Sequence, residues 1–497
     1  MSEETKPLDI VKNFSILSTG AFIGKFSGLA LRVVVARFLG VEVLGIYILL
    51  NLIVSYYSYS FLGISYVLPR EIPRLQTNNE LEKINQTRSI INIFYLFMSL
   101  VLFVSFTIYL LFFHQENISQ FTTLNLLLIF ITAFFYQFTT LITKHIKSLG
   151  IFSKLYINES FIKIVSPLVA IVFIIQFGLN GYLFSNLLFA VLNFANFLYY
   201  NYAKQLKLLR VNYFSLSKLI DHIKLGFAML MSYKSNNIMY TLLFTYLGTN
   251  FSLQTIGEIG FIVSFLNVVA PLLKPYFAST ERIIYRTETV VDPLIENISG
   301  GKQLIFKDFF NLSIISGLLI GLALQSISTI LKYIIPIFFT EFTESIQFLP
   351  IVGILFFVIN SLILINYYLN AYHIYKSRNI VAIISLVIFM VGSQLPIFTY
   401  DPTFLLAFFI SLTAIYKIII HRFASKNFQE SFTVFKMIFY EFTVAILLFI
   451  CITIMTKETF TPIKDIGLIV LFSLLALSPR IKNLKETLKD LEKFFTK

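Results

Sequence analysis

Residues 89–113 read SIINIFYLFMSLVLFVSFTIYLLFF, twenty-five positions without Asp, Glu, Lys, Arg, His, Gly or Pro. At about 1.5 Å of rise per residue, a helix of this length outreaches the roughly 30 Å hydrocarbon core of a bilayer. The run is continuous rather than alternating, which selects a helix over a half-buried strand. Lipid offers no partner to backbone amides, so a spanning segment must satisfy its own hydrogen bonds.

The same character recurs outward in both directions. The chain has 497 residues, 57% apolar and 13% charged, with a mean hydropathy of +0.80. That balance excludes a soluble globular protein and specifies an all-α polytopic membrane protein. Fourteen spans are predicted. The first seven are 13–38, 44–68, 89–113, 123–142, 156–177, 182–202 and 225–247. The rest are 253–277, 309–335, 348–370, 380–397, 404–420, 437–455 and 466–477, the last being short for a span.

Lys and Arg placement orients them. One set of loops is basic, carrying Arg70, Arg74, Lys83 and Arg88, then Lys144, Lys147 and Lys154, then Lys204 to Lys224, and so on to Arg422, Lys426 and Lys436. The alternate loops, after Gly40, Phe113, Gly178, Gly248, Pro336 and Tyr400, contain no Lys or Arg; only Lys457 and Lys464 blur the pattern. Positive charge marks the cytoplasmic side, so both termini are expected there. The net charge of +13 is largely accounted for by these loops and the basic tail, and argues for anionic headgroups rather than nucleic acid. Cys451 is alone, so an intrachain disulfide is excluded. The first apolar segment has no small-residue cleavage pattern and is expected to be retained as a helix.

Within this apolar background, Lys25 and Arg32 stand in the first span, and Lys234 stands 209 residues after Lys25 in the seventh. A charge near the bilayer centre costs at least about 2.5 kcal/mol, so such residues face a cavity or a partner. Lys25 and Lys234 precede Leu39-Gly40 and Leu247-Gly248 by 14 and 13 positions, which puts two cations at similar depth. Ser18, Lys25 and Arg32 form one stripe, while Gly20, Gly24 and Gly28 form a neighbouring small-residue arc suited to close packing. Lys234, Asn237, Thr241 and Thr245 form a second polar stripe. The expected organisation is an N-terminal lobe 1–203, a cytoplasmic linker 204–224, a C-terminal lobe 225–423, two extra helices within 424–479 and a basic cytoplasmic tail 480–497.

Lys25, the string from Ala36 through Arg37, Phe38, Leu39, Gly40, Val41, Glu42, Val43, Leu44, Gly45 and Ile46 to Tyr47, and Leu62-Gly63 with Leu68-Pro69-Arg70, resemble the multidrug/oligosaccharidyl-lipid/polysaccharide (MOP) flippase superfamily, polysaccharide type. The resemblance implies two six-helix bundles in a V and a central cavity opening alternately to either side. The implied cargo is an oligosaccharide repeat unit on a polyprenyl diphosphate, with an undecaprenyl carrier in a bacterial inner membrane, for O-antigen or other surface polysaccharide biosynthesis. A polysaccharide polymerase is a possible associate, and no cofactor is expected. The two helices beyond the lobes leave the subfamily open, a lipid II-type flippase included.

A diphosphate carries up to about two negative charges, which Lys25, Arg32, Lys234 and, at the cytoplasmic vestibule, Lys274 would meet with charge-assisted hydrogen bonds. Tyr56, Tyr57, Tyr59, Asn186, Asn193, Asn196, Asn237, Thr241, Asn360 and Asn366 are the candidates for sugar hydroxyls. Glu159, spaced i,i+4 from Lys163, and Glu258 are the candidates for ion coupling, although an intrahelical ion pair is the simpler role for Glu159. The nearest competing function is export of small molecules by the multidrug branch, but the embedded charge is mostly basic, with Glu258 and Glu441 the main exceptions. A membrane glycan polymerase or ligase is disfavoured because no outward loop is long enough to build a site. His114, His145, His222, His373 and His421 fall in or beside loops, and no Walker, Asp-x-Asp or metal-ligand spacing occurs. The chain is therefore not expected to be an enzyme.

Overall fold

The computed structural model describes residues 7–112, 121–149, 153–267, 320–361, 375–428, 431–457 and Asp465. Side chains are described over these ranges except in 7–27, 153–161, 375–378, 421–442 and at a few single positions. The described residues are helical, joined by turns and two short 3-10 segments.

The chain divides into two compact units, Met1–Gly257 and Glu258–Lys497. The first contains α1 (Pro7–Ser60), α2 (Val67–Thr77), α3 (Leu81–Phe112), α4 (Thr123–Ser148), α5 (Ser153–Ala203), α6 (Leu216–Asn250) and the start of α7 (Leu253–Leu266). The second contains the rest of α7, then α8 (Ile320–Phe338), α9 (Leu349–Ser361), α10 (Tyr375–Gly392), α11 (Pro402–Phe428) and α12 (Ser431–Lys457). Among the described residues, seven helices are long and apolar enough to cross a membrane. This is a multi-pass membrane protein.

α3 shows how the bilayer acts as solvent. Its outer face, with Leu96, Phe97, Leu100, Phe103, Leu111 and Phe112, is exposed, whereas Thr87, Arg88, Asn92 and Ser99 are buried with Ile91 and Tyr95. Apolar side chains that would be hidden in water face lipid here, and polar ones turn inward to find partners. The inward face joins a core of Tyr57, Phe61, Ile64, Leu68, Phe94, Tyr95, Phe130 and Phe138.

Two pairs of expected spans are helices that meet directly at a glycine break. Gly40 (φ 80°, ψ 177°) interrupts α1 and Gly178 (φ 60°, ψ −136°) interrupts α5, conformations open chiefly to glycine. The second span ends earlier than the sequence suggests. The expected helix to Leu68 stops at Ser60, because Leu62 (φ 51°) and Gly63 (φ 67°) turn left-handed; a 3-10 turn at Ile64–Tyr66 then leads into α2. Glycine also sets helix contacts elsewhere. A Cβ on Gly45 would fall 2.2 Å from the Leu253 carbonyl oxygen, and one on Gly257 would fall 2.0 Å from that of Val41. Gly28 of the expected packing arc meets nothing within 4 Å among the described residues.

The stretch after α5 is held onto the rest of the first unit. The Asn92 amide donates to the carbonyls of Leu208 and Arg210, each at 2.9 Å. That leaves Asn92 Oδ1 as the acceptor from His145 Nε2 at 3.0 Å. The Leu208 amide donates to Asn201 Oδ1 at 3.1 Å, and the Tyr213 amide to Ser89 Oγ at 2.9 Å. His145, expected in or beside a loop, is therefore a fully buried member of α4. Its helix runs six residues past the apolar stretch, because a polar partner on α3 makes the inward position favourable.

Candidate functional site

The break at Leu62-Gly63 opens a polar pocket inside the first unit. Gly63 lies so close to α6 that a Cβ would fall 2.6 Å from the Gly226 carbonyl oxygen and 2.6 Å from Leu230 Cβ. Ending α1 there also leaves its last carbonyls without helical partners. Gln137 of α4 answers one of them, donating to the Ser58 carbonyl at 3.2 Å.

The cavity is about 210 Å³. Its walls are Ser55, Ser58 and Tyr59 of α1, Gly63, Ser65 and Tyr66 of the break, Gln137 and Thr140 of α4, and Leu230, Lys234 and Asn237 of α6, with Tyr95 behind. Two hydroxyl contacts join α1 to α6: Tyr56 to Thr245 at 2.7 Å and Tyr59 to Thr241 at 3.1 Å. Each threonine donates its own proton to the carbonyl four residues earlier, at 2.9 Å, so the tyrosines are the donors across the interface. The Tyr66 ring stacks on Tyr233, with centroids 5.6 Å apart and planes 19° apart. Lys144 Nζ stands 4.1 Å from the same centroid, an arrangement that holds a cation against the ring's negative face.

Five of the residues singled out from sequence, Tyr56, Tyr59, Lys234, Asn237 and Thr241, thus meet along the α1/α6 face. Arg32 acts electrostatically on Tyr182 of α5 and Tyr240 of α6, and Asn186 shares a hydrogen bond with Tyr182. Tyr57 does not join them; it is buried in the bundle core with ring centroids 5.6 Å from Phe61 and 5.3 Å from Phe130. One residue from Tyr56 on a helix means about 100° of rotation, which carries Tyr57 off the α6-facing side and into the core. Asn193 has its Oδ1 buried without a partner among the described residues, and Asn196 is half-buried on α5. Glu258 is buried on α7 in the second unit. Lys274 and Asn366 lie outside the described residues, as do the side chains of Lys25, Glu159, Lys163 and Asn360.

Sequence reasoning missed Gln137, Thr140 and Lys144, although their i, i+3, i+7 spacing marks one face of α4. Tyr66 escapes a sequence reading because the apolar run continues straight through the break. Two embedded cations of the second unit were also missed: Lys332, and Lys417 at a 240 Å³ cavity otherwise lined chiefly by apolar side chains such as Ile354, Phe357 and Phe449. Among the described residues no cluster of His, Cys, Asp and Glu is arranged to hold a metal.

No family model matches the chain, and no curated protein matches it. Solved structures do. The inward-facing form of a multidrug resistance MATE family transporter of the MOP superfamily is 11% identical, covering 87% of this chain and 97% of that one, with a TM-score of 0.54. The lipid II flippase MurJ in an inward closed conformation is 13% identical over 94% of this chain and 99% of that one, with a TM-score of 0.59. The MATE multidrug transporter DinF-BH is 15% identical over 88% and 98%, with a TM-score of 0.55. The chain has the fold that these MATE transporters and MurJ share.

Proposed function

We propose that this protein is a membrane flippase that moves a polyprenyl-diphosphate-linked oligosaccharide across a bacterial inner membrane by alternating access, for surface polysaccharide biosynthesis. The observation that carries the reading is the pocket in the first unit, where Lys234 stands among hydroxyls and amides of Ser55, Ser58, Tyr59, Gln137, Thr140 and Asn237. A cation flanked by neutral donors suits a diphosphate followed by a sugar, and the cavity matches a head group rather than a whole glycan. Lys25 and Arg32 would extend the cationic path along α1, and Lys274 would add to it at the cytoplasmic mouth. The hydrocarbon tail would stay in lipid, since dragging the charged head through hydrocarbon is the costly step. We take 1–203 and 225–423 as the lobes that exchange access, and Glu258 as a coupling candidate. The superfamily fold supports transport rather than catalysis.

The test is flipping of a fluorescent polyprenyl-diphosphate oligosaccharide in proteoliposomes by wild type, Lys234→Ala and Lys25→Ala. Losing a charge-assisted hydrogen bond, about 1.5–3 kcal/mol, predicts roughly a 10- to 100-fold loss for Lys234→Ala. Export of a cationic dye with no flipping by wild type would move the protein to the multidrug reading, for which the likeness to DinF-BH is the supporting observation.

A further inference from the structure

The stretch between α5 and α6 crosses the first turns of α3 along one face. Lys218 Nζ donates to Gln86 Oε1, the Tyr213 amide to Ser89 Oγ, and the Asn92 amide to the Leu208 and Arg210 carbonyls. This crossing brings two guanidinium groups into one another's field, Arg88 of α3 and Arg210 of the linker. Arg88 is 8% exposed, and its Nε is buried with no hydrogen-bond partner among the described residues. Its two terminal nitrogens keep accessible surface, and Arg210 beside it is half-buried, so the pair can be reached from outside. Among the described residues no carboxylate pairs with either arginine. Glu71 of α2 and Glu80 of the turn after it are held instead by Arg70 at 3.7 Å and Lys83 at 2.9 Å.

A largely buried charge is costly unless it is paired, and a like charge beside it adds to the cost. Guanidinium forks match phosphate oxygens in geometry as well as in sign. The surroundings select a lipid phosphate. Arg88 immediately precedes the long apolar run of α3. On the face that the linker crosses, Asn92 is followed at steps of four by Leu96 and Leu100, which are 53% and 62% exposed. Next to Arg210 the linker exposes Val211, Tyr213 and Phe214. Exposed apolar side chains interleaved with cations belong in the headgroup layer of a membrane, where anionic lipids supply the counter-charge.

We propose that the crossing of α3 and the linker binds one anionic glycerophospholipid of the adjoining leaflet, with its phosphodiester on Arg88 and Arg210 and its acyl chains along Leu96 and Leu100. The lipid neutralises the arginine pair and fastens the linker to α3 from the membrane side. The site lies within the first unit, apart from the pocket at Lys234, and is independent of the cargo.

The experiment is native mass spectrometry of the full chain, stripped of lipid in an uncharged detergent and titrated with phosphatidylglycerol, phosphatidylcholine or glycerol 3-phosphate. One phosphatidylglycerol should bind per chain roughly tenfold more tightly than phosphatidylcholine, the margin expected of a charge-assisted hydrogen bond. That margin should vanish in Arg88→Gln and in Arg210→Gln, and persist in Lys204→Gln, which alters an exposed cation of the same linker. Arg88→Gln should melt no lower than wild type in the absence of lipid; Arg210→Gln, at the half-buried position, carries the test if Arg88→Gln does not fold. Equal binding of the two phospholipids, a margin that survives the arginine variants, or one lost equally in Lys204→Gln would overturn the proposal. Glycerol 3-phosphate binding as tightly as phosphatidylglycerol would assign the arginines to a soluble phosphate and overturn the lipid.

Discussion

At the residue scale, Gly63 decides whether the polar pocket exists. Its φ of 67° and its approach to Gly226 both exclude a Cβ. Gly63→Ala combines left-handed strain of about 1–2 kcal/mol with a clash against backbone that cannot swing aside. The expected outcome is a melting temperature in detergent several degrees below wild type, with loss of transport. Gly28→Ala, in open space among the described residues, should melt with wild type. Tyr56, Tyr57 and Tyr59 were legible as a polar group on one helix, but not as a pocket residue (Tyr59), an exposed partner of Thr245 (Tyr56) and a core residue (Tyr57). That division follows from the rotation of α1, which its neighbours fix.

At the element scale, the stretch between α5 and α6 is polar enough to read as a free linker, yet Asn92 ties its Leu208 and Arg210 carbonyls to α3. Asn92→Leu would leave two carbonyls and the His145 N–H without their partner, and each buried orphan costs about 1–3 kcal/mol. The expected result is a clear drop in thermal stability together with faster proteolysis between Lys204 and Ser215, measured by mass spectrometry of limited digests. Unchanged digestion would show that the clamp does not hold the linker. The helices themselves were largely legible from apolar runs, and their real ends differ where a glycine or a polar partner intervenes. Gly40 and Gly178 shorten the expected loops to glycine breaks between two helices, while His145 extends α4 beyond its apolar stretch.

At the scale of the whole molecule, the net charge of +13 and its segregation into alternate loops predict an orientation that labelling can test. Lys204 and Asn250 are both exposed, at opposite ends of the stretch holding the linker and α6. With Cys451 changed to Ser, a single cysteine at Asn250 should react with an impermeant maleimide applied outside, and one at Lys204 only after the membrane is opened. The reverse pattern would invert the topology. Apolar length and Lys/Arg bias are properties of the chain in one dimension, and the bilayer reads them directly, so the sequence alone determined a polytopic helical protein. Which polar groups meet was decided by tertiary structure alone. Tyr59 finds Thr241 across 182 positions and Lys332 finds Asp465 across 133. Such pairs depend on how far each helix is rotated and how closely glycine lets two backbones approach, quantities that exist only once the helices have packed.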